Sequence, residues 1–209
     1  MSAREAAKRE RSLRIRQAAE HLLEKRAITA VTTKEVAEAA GIGEATLFRY
    51  IGSKDELLFM VYGDRMDALL SEIEQRDAMT TVGCDDSEKT GSYYLDRILD
   101  AYRTRCEFYL QNPDNASIYL RAGFDKQNVS RGRNIAQGDR SIRLTTAILA
   151  EGQSEGFLND RIPPGLVAQN CHAIYMHEID RTPTRGYVPG TIWERVSPRL
   201  HAQLDPLLR

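Results

Sequence analysis

The sequence has little of what marks secreted, disulfide-bonded or membrane-spanning proteins. Its 209 residues include only three cysteines, Cys84, Cys106 and Cys171, and this odd, scattered set argues against a disulfide framework. No apolar run approaches the length that spans a bilayer. The charged N-terminus also lacks the apolar core of a signal peptide. These absences predict a soluble, cytoplasmic protein with no membrane partner.

Strand signals are scarce, and nearly every periodic segment has the spacing of an amphipathic helix. The first such stripe comprises Ile15, Ala18, Ala19, Leu22 and Leu23. The pattern predicts an all-α fold of about nine helices. Its first boundaries are a capping box at Thr32 and Glu35, a turn at Gly41, and a second capping box at Ser53 and Glu56.

Later boundaries follow from polar and proline-containing segments. The helix from Ser53 is predicted to end near Arg76, before a loop over residues 77–91. Asn112-Pro113 should break the next helix, and Pro163-Pro164 should begin a later one. In the last helix, Pro198 is expected to bend or end it.

Positive charge is concentrated at the N-terminus of a chain whose net charge is only −1. Residues 1–16 contain six basic residues, Arg4, Lys8, Arg9, Arg11, Arg14 and Arg16, against Glu5 and Glu10. This basic arm indicates either a contact with a polyanion or simply a solvated helix end.

The segment "TTKEVAEAAGIGEATLFRYIGSKDELL" has the pattern of a helix-turn-helix. Helices over about 34–40 and 44–51 would be joined through Gly41, with the short second helix held by Val36, Leu22 and Leu23. The outward set would be Glu44, Ala45, Thr46 and Arg49, with Phe48 and Tyr50 partly exposed. In such a motif the second helix enters the major groove, where Arg49 could pair with guanine or a phosphate.

This segment resembles the DNA-binding signature of the TetR family of bacterial transcriptional repressors, over roughly residues 10–60. By position, the resemblance implies DNA-backbone contacts from Thr33, Thr46, Phe48, Tyr50 and Lys54. It implies base contacts from Glu44, Ala45 and Arg49. Gly43 stands where the family commonly has Ser or Thr, and Phe48 where it often has Tyr, so both departures suggest weaker anchoring.

The resemblance also implies a DNA-binding domain over residues 1–55 and a ligand-binding and dimerisation domain over 56–209. The double-stranded DNA operator would be palindromic, the protein a homodimer, and the effector small and largely apolar. Candidate ligand-binding residues are Leu99, Tyr102, Cys106, Tyr109, Phe124, Asn170 and His177. Candidate dimer-interface residues in the last two helices are Ala168, Cys171, Tyr175, Trp193, Val196, Leu200 and Leu204.

Other functions have weaker support in the sequence. His172 and His177 are five residues apart and lie on different helix faces, so no metal site is expected. Cys106 and Cys171 could be redox sensors or buried structural thiols. We see no phosphate loop and no nucleophile elbow, and so predict no catalytic residues, no cofactor and no enzyme. A ligand-binding module that no longer reads DNA remains the alternative to a ligand-released repressor.

Overall fold

The computed structural model describes residues 2–83 and 89–209, with only the backbone of Gly83, Pro183 and Thr184. Within these ranges the chain forms nine α-helices and no β-strand, which confirms the all-α fold class. The helices are α1 Ala3–Lys25, α2 Thr33–Ala39, α3 Glu44–Leu47, α4 Lys54–Gly83, α5 Gly91–Gln111, α6 Pro113–Arg121, α7 Arg131–Ser154, α8 Pro164–Thr184 and α9 Ile192–Leu204. Short 3₁₀ turns follow α1, α6, α8 and α9. No helix in the described part of the chain is long and apolar enough to cross a membrane.

Several predicted boundaries agree with the structure because side chains cap the helix ends as their spacing indicates. α2 begins at a complete capping box between Thr32 and Glu35. α5 ends at Gln111, and the Asn112 side chain caps α6 by accepting a hydrogen bond from the Asn115 backbone N–H. α8 begins at Pro164, where a missing backbone N–H is harmless.

The predicted loop over residues 77–91 begins too early, whereas its predicted end agrees with the structure to within one residue. α4 continues to Gly83 and α5 begins at Gly91, while Cys84 lies outside the described residues. α4 extends because Asp77 forms a twofold ion pair with Arg97 of α5, at 2.8 and 3.1 Å. A tertiary contact thus overrides a weak local helix signal. α7 begins at Arg131, and α9 continues through Pro198 to Leu204, so Pro198 does not end the last helix.

The chain forms two compact units. The first comprises Met1–Arg65 and Gln111–Arg131, and the second Met66–Leu110 and Gly132–Arg209. The first unit therefore includes the start of α4 and all of α6. The predicted division at residue 55 concerns function and stays a prediction.

In the first unit, the helices of the N-terminal segment pack around a core that α6 completes. α1 packs on α2 and α2 on α3. The buried stripe of α1 comprises Ile15, Ala18, Ala19 and Leu23, as predicted, whereas Leu22 is only half-buried. α6 adds the fully buried Tyr119, whose ring lies 6.1 Å from that of Tyr62.

Asn115 of α6 is the polar centre of this unit and is fully buried. Its Oδ1 accepts a hydrogen bond from the Ile28 backbone N–H at 2.7 Å. Its Nδ2 donates to the carbonyl oxygens of Leu23 at 3.2 Å and Arg26 at 2.9 Å. These carbonyls belong to the end of α1, where a helix leaves its last acceptors without intrahelical partners. Asn112 Nδ2 also donates to these two carbonyls, at 3.4 and 3.3 Å. Asn115 therefore gives the end of α1 its shorter hydrogen bonds and also binds the turn that follows.

In the second unit, α8 packs on α9 through apolar residues and one buried carboxylate. Glu178 of α8 is 2 % exposed and receives Arg195 at 3.0 Å and Arg199 at 3.2 Å, both from α9. The two arginines compensate the buried negative charge, which would otherwise be strongly destabilising.

We expect Asn115→Ala to lower the free energy of unfolding by about 1–3 kcal/mol, because it leaves the buried Ile28 N–H unpaired. The Leu23 and Arg26 carbonyls would keep only the longer hydrogen bonds from Asn112 Nδ2, at 3.4 and 3.3 Å. Urea unfolding followed by circular dichroism measures this change. The control is Asn170→Ala, which removes an exposed amide with one 3.3 Å hydrogen bond to Gln203 and should cost under about 0.5 kcal/mol. Equal effects of the two substitutions would contradict the structural role of Asn115.

Candidate nucleic-acid interface

The turn between α2 and α3 has the hydrogen bonds of a Schellman motif. Gly41 adopts φ +65°, the left-handed conformation that glycine accepts at little cost. The Ile42 N–H donates to the Ala37 carbonyl at 3.0 Å, and the Gly41 N–H donates to Glu38 at 3.0 Å. Ala37 is buried, as close helix packing at this turn requires. The predicted role of Gly41 in the turn is confirmed.

At the start of α2, Glu35 is held from three sides. Arg26 Nη1 donates to its Oε1 at 2.7 Å, while the Thr32 backbone N–H and hydroxyl each donate to Oε2 at 2.8 Å. The hydrogen bond from Arg26, followed by those from Thr32, lowers the pKa of Glu35 from 4.5 to about 2. The N-terminus of α2 therefore remains charged and capped throughout the physiological pH range.

α3 is shorter than predicted. The α-helix covers Glu44–Leu47, and a tighter turn follows, in which the Arg49 N–H donates to Thr46 and the Tyr50 N–H to Leu47. Gly43 at the N-cap offers no side-chain hydrogen bond. The element persists because Leu47 and Ile51 are buried and because α4 starts three residues after Ile51.

The second predicted capping box forms only in part. The Ser53 hydroxyl accepts from the Glu56 N–H at 3.3 Å. The Glu56 carboxylate, however, accepts from the N–H of Gly52 at 2.8 Å instead of from Ser53. Glycine at position 52 allows this approach, since a Cβ there would meet Glu56 Oε1 at 2.8 Å. The N-terminus of α4 is capped all the same.

The structure leaves the predicted base-contacting residues accessible. Glu44, Ala45, Phe48 and Arg49 are exposed, and Thr33, Thr46, Tyr50 and Lys54 are half-buried. Two of the predicted contacts already have internal partners. The Thr33 hydroxyl donates to Glu44 at 2.5 Å, and Lys54 Nζ donates to the Val31 carbonyl at 3.1 Å. The Arg49 side chain forms no hydrogen bond or ion pair among the described residues, so its guanidinium is available to a ligand.

The basic arm is the first part of α1, whose N-terminus is capped by Ser2 and Glu5. Arg16 pairs with Asp64, whereas Arg4, Lys8, Arg9 and Arg11 are exposed. Arg14 is a residue whose place the sequence did not indicate. If Gly41 had a Cβ, that atom would lie 3.6 Å from Arg14 Nη1. The Nε of Arg14 is buried without a hydrogen-bond partner. Arg14 therefore lies beside the turn of the helix-turn-helix.

The seven predicted ligand-binding residues do not form one cluster. Leu99, Tyr102, Cys106 and Tyr109 are buried on α5 in the second unit. Phe124 belongs to the first unit and is 68 % exposed, while Asn170 and His177 are exposed on α8. A cavity lies beside Tyr102, and only about 10 Å³ of it is open to the centre of a water molecule. Its lining comes from α4, α5 and α7: Leu70, Ile73, Glu74, Ala101, Tyr102, Arg105, Arg140, Ser141, Leu144 and Thr145.

Of these ten lining residues the sequence analysis named only Tyr102, and Arg105 is the charged residue that it missed on the same helix. Its position, three residues after Tyr102, places it on the same helix face and was the available signal. The two nearby cysteines are poor candidates for redox sensing, since burial raises the pKa of Cys106 and of Cys171 to about 12. Among the described residues, no group of three or more His, Cys, Asp or Glu could hold a metal ion.

Six of the seven predicted dimer-interface residues are buried within the single chain. Ala168, Cys171, Tyr175, Val196, Leu200 and Leu204 have no exposed surface, because α8 and α9 pack on each other through them. Trp193 is half-buried under the guanidinium of Arg103, which lies 5.3 Å above its ring. A second copy using these helices would contact their outer faces instead. The exposed residues there include Leu166, Ala173, His177, Glu194, Pro198 and Ala202.

We expect Gly41→Ala to destabilise the protein by about 1 kcal/mol, because an L-residue at φ +65° is strained. The added methyl itself meets only Arg14 Nη1 at an ordinary 3.6 Å. The paired variant is Gly43→Ser, which supplies the missing N-cap hydroxyl and should stabilise by a few tenths of a kcal/mol. Urea unfolding measures both, and a neutral Gly41→Ala would exclude the left-handed turn.

The pKa of Glu35 gives a pH-dependent prediction. Because the folded-state pKa is about 2 and the ordinary value is 4.5, the stabilisation is complete above about 4.5 and is lost as pH falls toward about 2. Carbon NMR titration of the carboxyl group should therefore give a pKa far below 4.5, and Arg26→Ala should raise it. Lys34→Ala is the control, because Lys34 pairs with Glu38 instead. A pKa unchanged by Arg26→Ala would overturn the assignment.

Comparison with known proteins agrees with this geometry. Residues 15–61 match the family described as bacterial regulatory proteins, tetR family. No curated protein matches the chain.

Solved structures share the fold over nearly the whole length. A TetR transcription regulator from Haloarcula marismortui has a TM-score of 0.66 at 18% identity, over 95% of this chain and 98% of that one. Thermus thermophilus FadR, a TetR-family transcriptional repressor in complex with lauroyl-CoA, has a TM-score of 0.63 at 20% identity, over 95% of each chain. Bacillus subtilis FadR in complex with stearoyl-CoA has a TM-score of 0.63 at 14% identity, over 93% of this chain and 98% of that one.

The matched segment contains the turn at Gly41 and the exposed face of α3, and the fold extends over the remaining helices. Residues 15–61 therefore match the tetR family of bacterial regulatory proteins, and the whole chain shares its fold with solved TetR-family regulators.

Proposed function

We propose that this protein is a sequence-specific DNA-binding transcriptional regulator, and that it is a repressor released from its operator by a small molecule. The observation that carries the proposal is the exposed face of α3. Leu47 fixes this short helix from beneath, while Ala45 and Arg49 are exposed and free to reach base edges. The exposed basic residues of α1 add positive charge for the phosphate backbone.

The proposed active form is a homodimer. Two helix-turn-helix motifs related by a twofold axis would read the half-sites of a palindrome, separated by about one helical turn or more. The outer faces of α8 and α9 are the proposed interface. The inner faces of these helices are already used in the protomer.

The proposed effector is small and largely apolar, and it binds among α4, α5 and α7. Two proteins of similar fold contain acyl-CoA ligands, which supports a binding role for the helices beyond the DNA-binding motif. α4 begins near the motif at Lys54 and also lines the cavity through Leu70, Ile73 and Glu74. An effector that binds one position of α4 better than another would change DNA affinity by that difference. The proposed role is regulatory and not enzymatic.

The experiment that tests this proposal selects bound duplexes from a random DNA pool with the purified protein at near-physiological salt. An enriched palindrome supports a dimeric, sequence-specific regulator, and its half-site spacing measures the separation of the two motifs. Weak, salt-sensitive binding without enrichment would contradict DNA readout. The chain would then be a ligand-binding module of the same fold.

On the selected operator, Arg49→Ala should lower affinity by about 1–3 kcal/mol and relax the preference at one base position, as loss of a bidentate base contact requires. Fluorescence anisotropy against operator variants measures both effects. The control is Arg161→Ala, which removes an exposed arginine of the second unit. An equal loss on every sequence would make Arg49 a phosphate contact.

Lys54→Ala serves as the contrasting variant. Its ammonium also holds the Val31 carbonyl, and we place it on the DNA backbone. Binding should weaken uniformly across sequences, with a flatter dependence on salt. An unchanged salt dependence would remove Lys54 from the phosphate contacts.

A further inference from the structure

A buried arginine without a carboxylate partner lines the cavity of the second unit. Arg105 is 3 % exposed. Its guanidinium lies 4.3 Å from the ring centre of Tyr175 and 5.9 Å from that of Tyr102. Over residues 2–83 and 89–209, no ion pair to a carboxylate is formed by Arg105. The positive charge is therefore compensated only by aromatic faces and hydrogen bonds.

The hydrogen bonds of Arg105 are also incomplete. Its Nη1 contacts His172 Nδ1 at 3.3 Å, while its Nε is buried without a hydrogen-bond partner. His172 accepts in its neutral form, because desolvation, and secondly the charge of Arg105, lower its pKa to about 3. A neutral imidazole satisfies one N–H of the guanidinium but does not neutralise its charge. Leaving a buried charge uncompensated is unfavourable, so this site is suited to a ligand that supplies the counter-charge.

The other charged groups of the cavity are paired with each other. Arg140 holds Glu74 with two hydrogen bonds, at 3.0 and 2.7 Å. The cavity lining therefore has one excess positive charge, that of Arg105. The remaining lining is mostly apolar, with Leu70, Ile73 and Leu144. A charged donor in a mostly apolar lining matches a ligand with one anionic group on an apolar body.

We propose that Arg105 is an anion-binding residue and that the effector is a small carboxylate with an apolar body. The proposal rests on the effector site of the proposed function and names the chemical class of its ligand. The open part of the cavity admits only a water-sized group, so a larger carboxylate must separate the helices that line it. α4 is one of these helices, which joins carboxylate binding to the proposed movement of α4.

The test is calorimetric titration of the full-length protein with decanoate, decanol and inorganic phosphate. Decanoate should bind at least about tenfold more tightly than decanol, as expected for a charge-assisted hydrogen bond in a buried site. Equal binding of decanoate and decanol, or no binding of decanoate, would overturn the proposal. Phosphate binding as tight as that of decanoate would show an ion site without an apolar component.

Arg105→Gln should reduce decanoate affinity about 10–100-fold and leave decanol affinity nearly unchanged. The matched control is Arg103→Gln, which removes an exposed arginine from the same helix and should change neither affinity. Loss of both ligands in a folded Arg105→Gln protein, or no loss of decanoate, would contradict an anion-binding role.

A second variant tests the uncompensated charge without any ligand. Arg105→Met replaces the guanidinium with an apolar chain of similar length, and the ligand-free protein should melt at a higher temperature than wild type. A lower melting temperature would show that Arg105 is structural.

Selection from random DNA with wild type and Arg105→Gln separates this proposal from the proposed function. An enriched palindrome without carboxylate binding would refute only the effector class. Carboxylate binding without an enriched palindrome would refute only the DNA readout.

Discussion

The hydrogen bonds of one buried amide determine how the first unit is assembled. Asn115 of α6 accepts from the N–H of Ile28 and donates to the carbonyls of Leu23 and Arg26. These groups lie at the end of α1 and in the turn after it, and a helix end buried without partners is unfavourable. Two stretches far apart in sequence, up to Arg65 and from Gln111 to Arg131, consequently form one compact unit. The helix-turn-helix depends on α6 as well as on its own residues.

Local chemistry allowed much of this unit to be predicted from the sequence. The capping box at Thr32, the left-handed Gly41 and the break at Asn112-Pro113 involve residues within a few positions of one another, so spacing alone identifies them. The length of α3 and the end of α4 were predicted less well. α3 tightens into a 3₁₀-like turn after Leu47, and α4 is prolonged by the ion pair between Asp77 and Arg97, a contact that the sequence does not reveal.

Sites built from distant residues were harder to predict for the same reason. A hydrophobic stripe shows that a helix has a buried face, but not which helix covers it. The apolar residues of α8 and α9, such as Tyr175 and Leu200, therefore suggested a dimer interface, although they pack within one protomer. Arg105 was missed because a charged residue is usually exposed. Phe124, Asn170 and His177 were proposed as pocket residues, yet each is exposed.

Asn115 and Arg105 show how burial distinguishes a structural polar group from a candidate binding group. Both are nearly inaccessible, and both occupy helices whose buried faces are mostly apolar. Asn115 is a neutral amide whose hydrogen bonds are made within the protein, so it needs nothing further. Arg105 keeps a full charge and a buried Nε without a partner beside a cavity. On the proposal above, a bound anion compensates this guanidinium. The difference in anion affinity between two positions of α4 is then the free energy with which the effector acts on that helix.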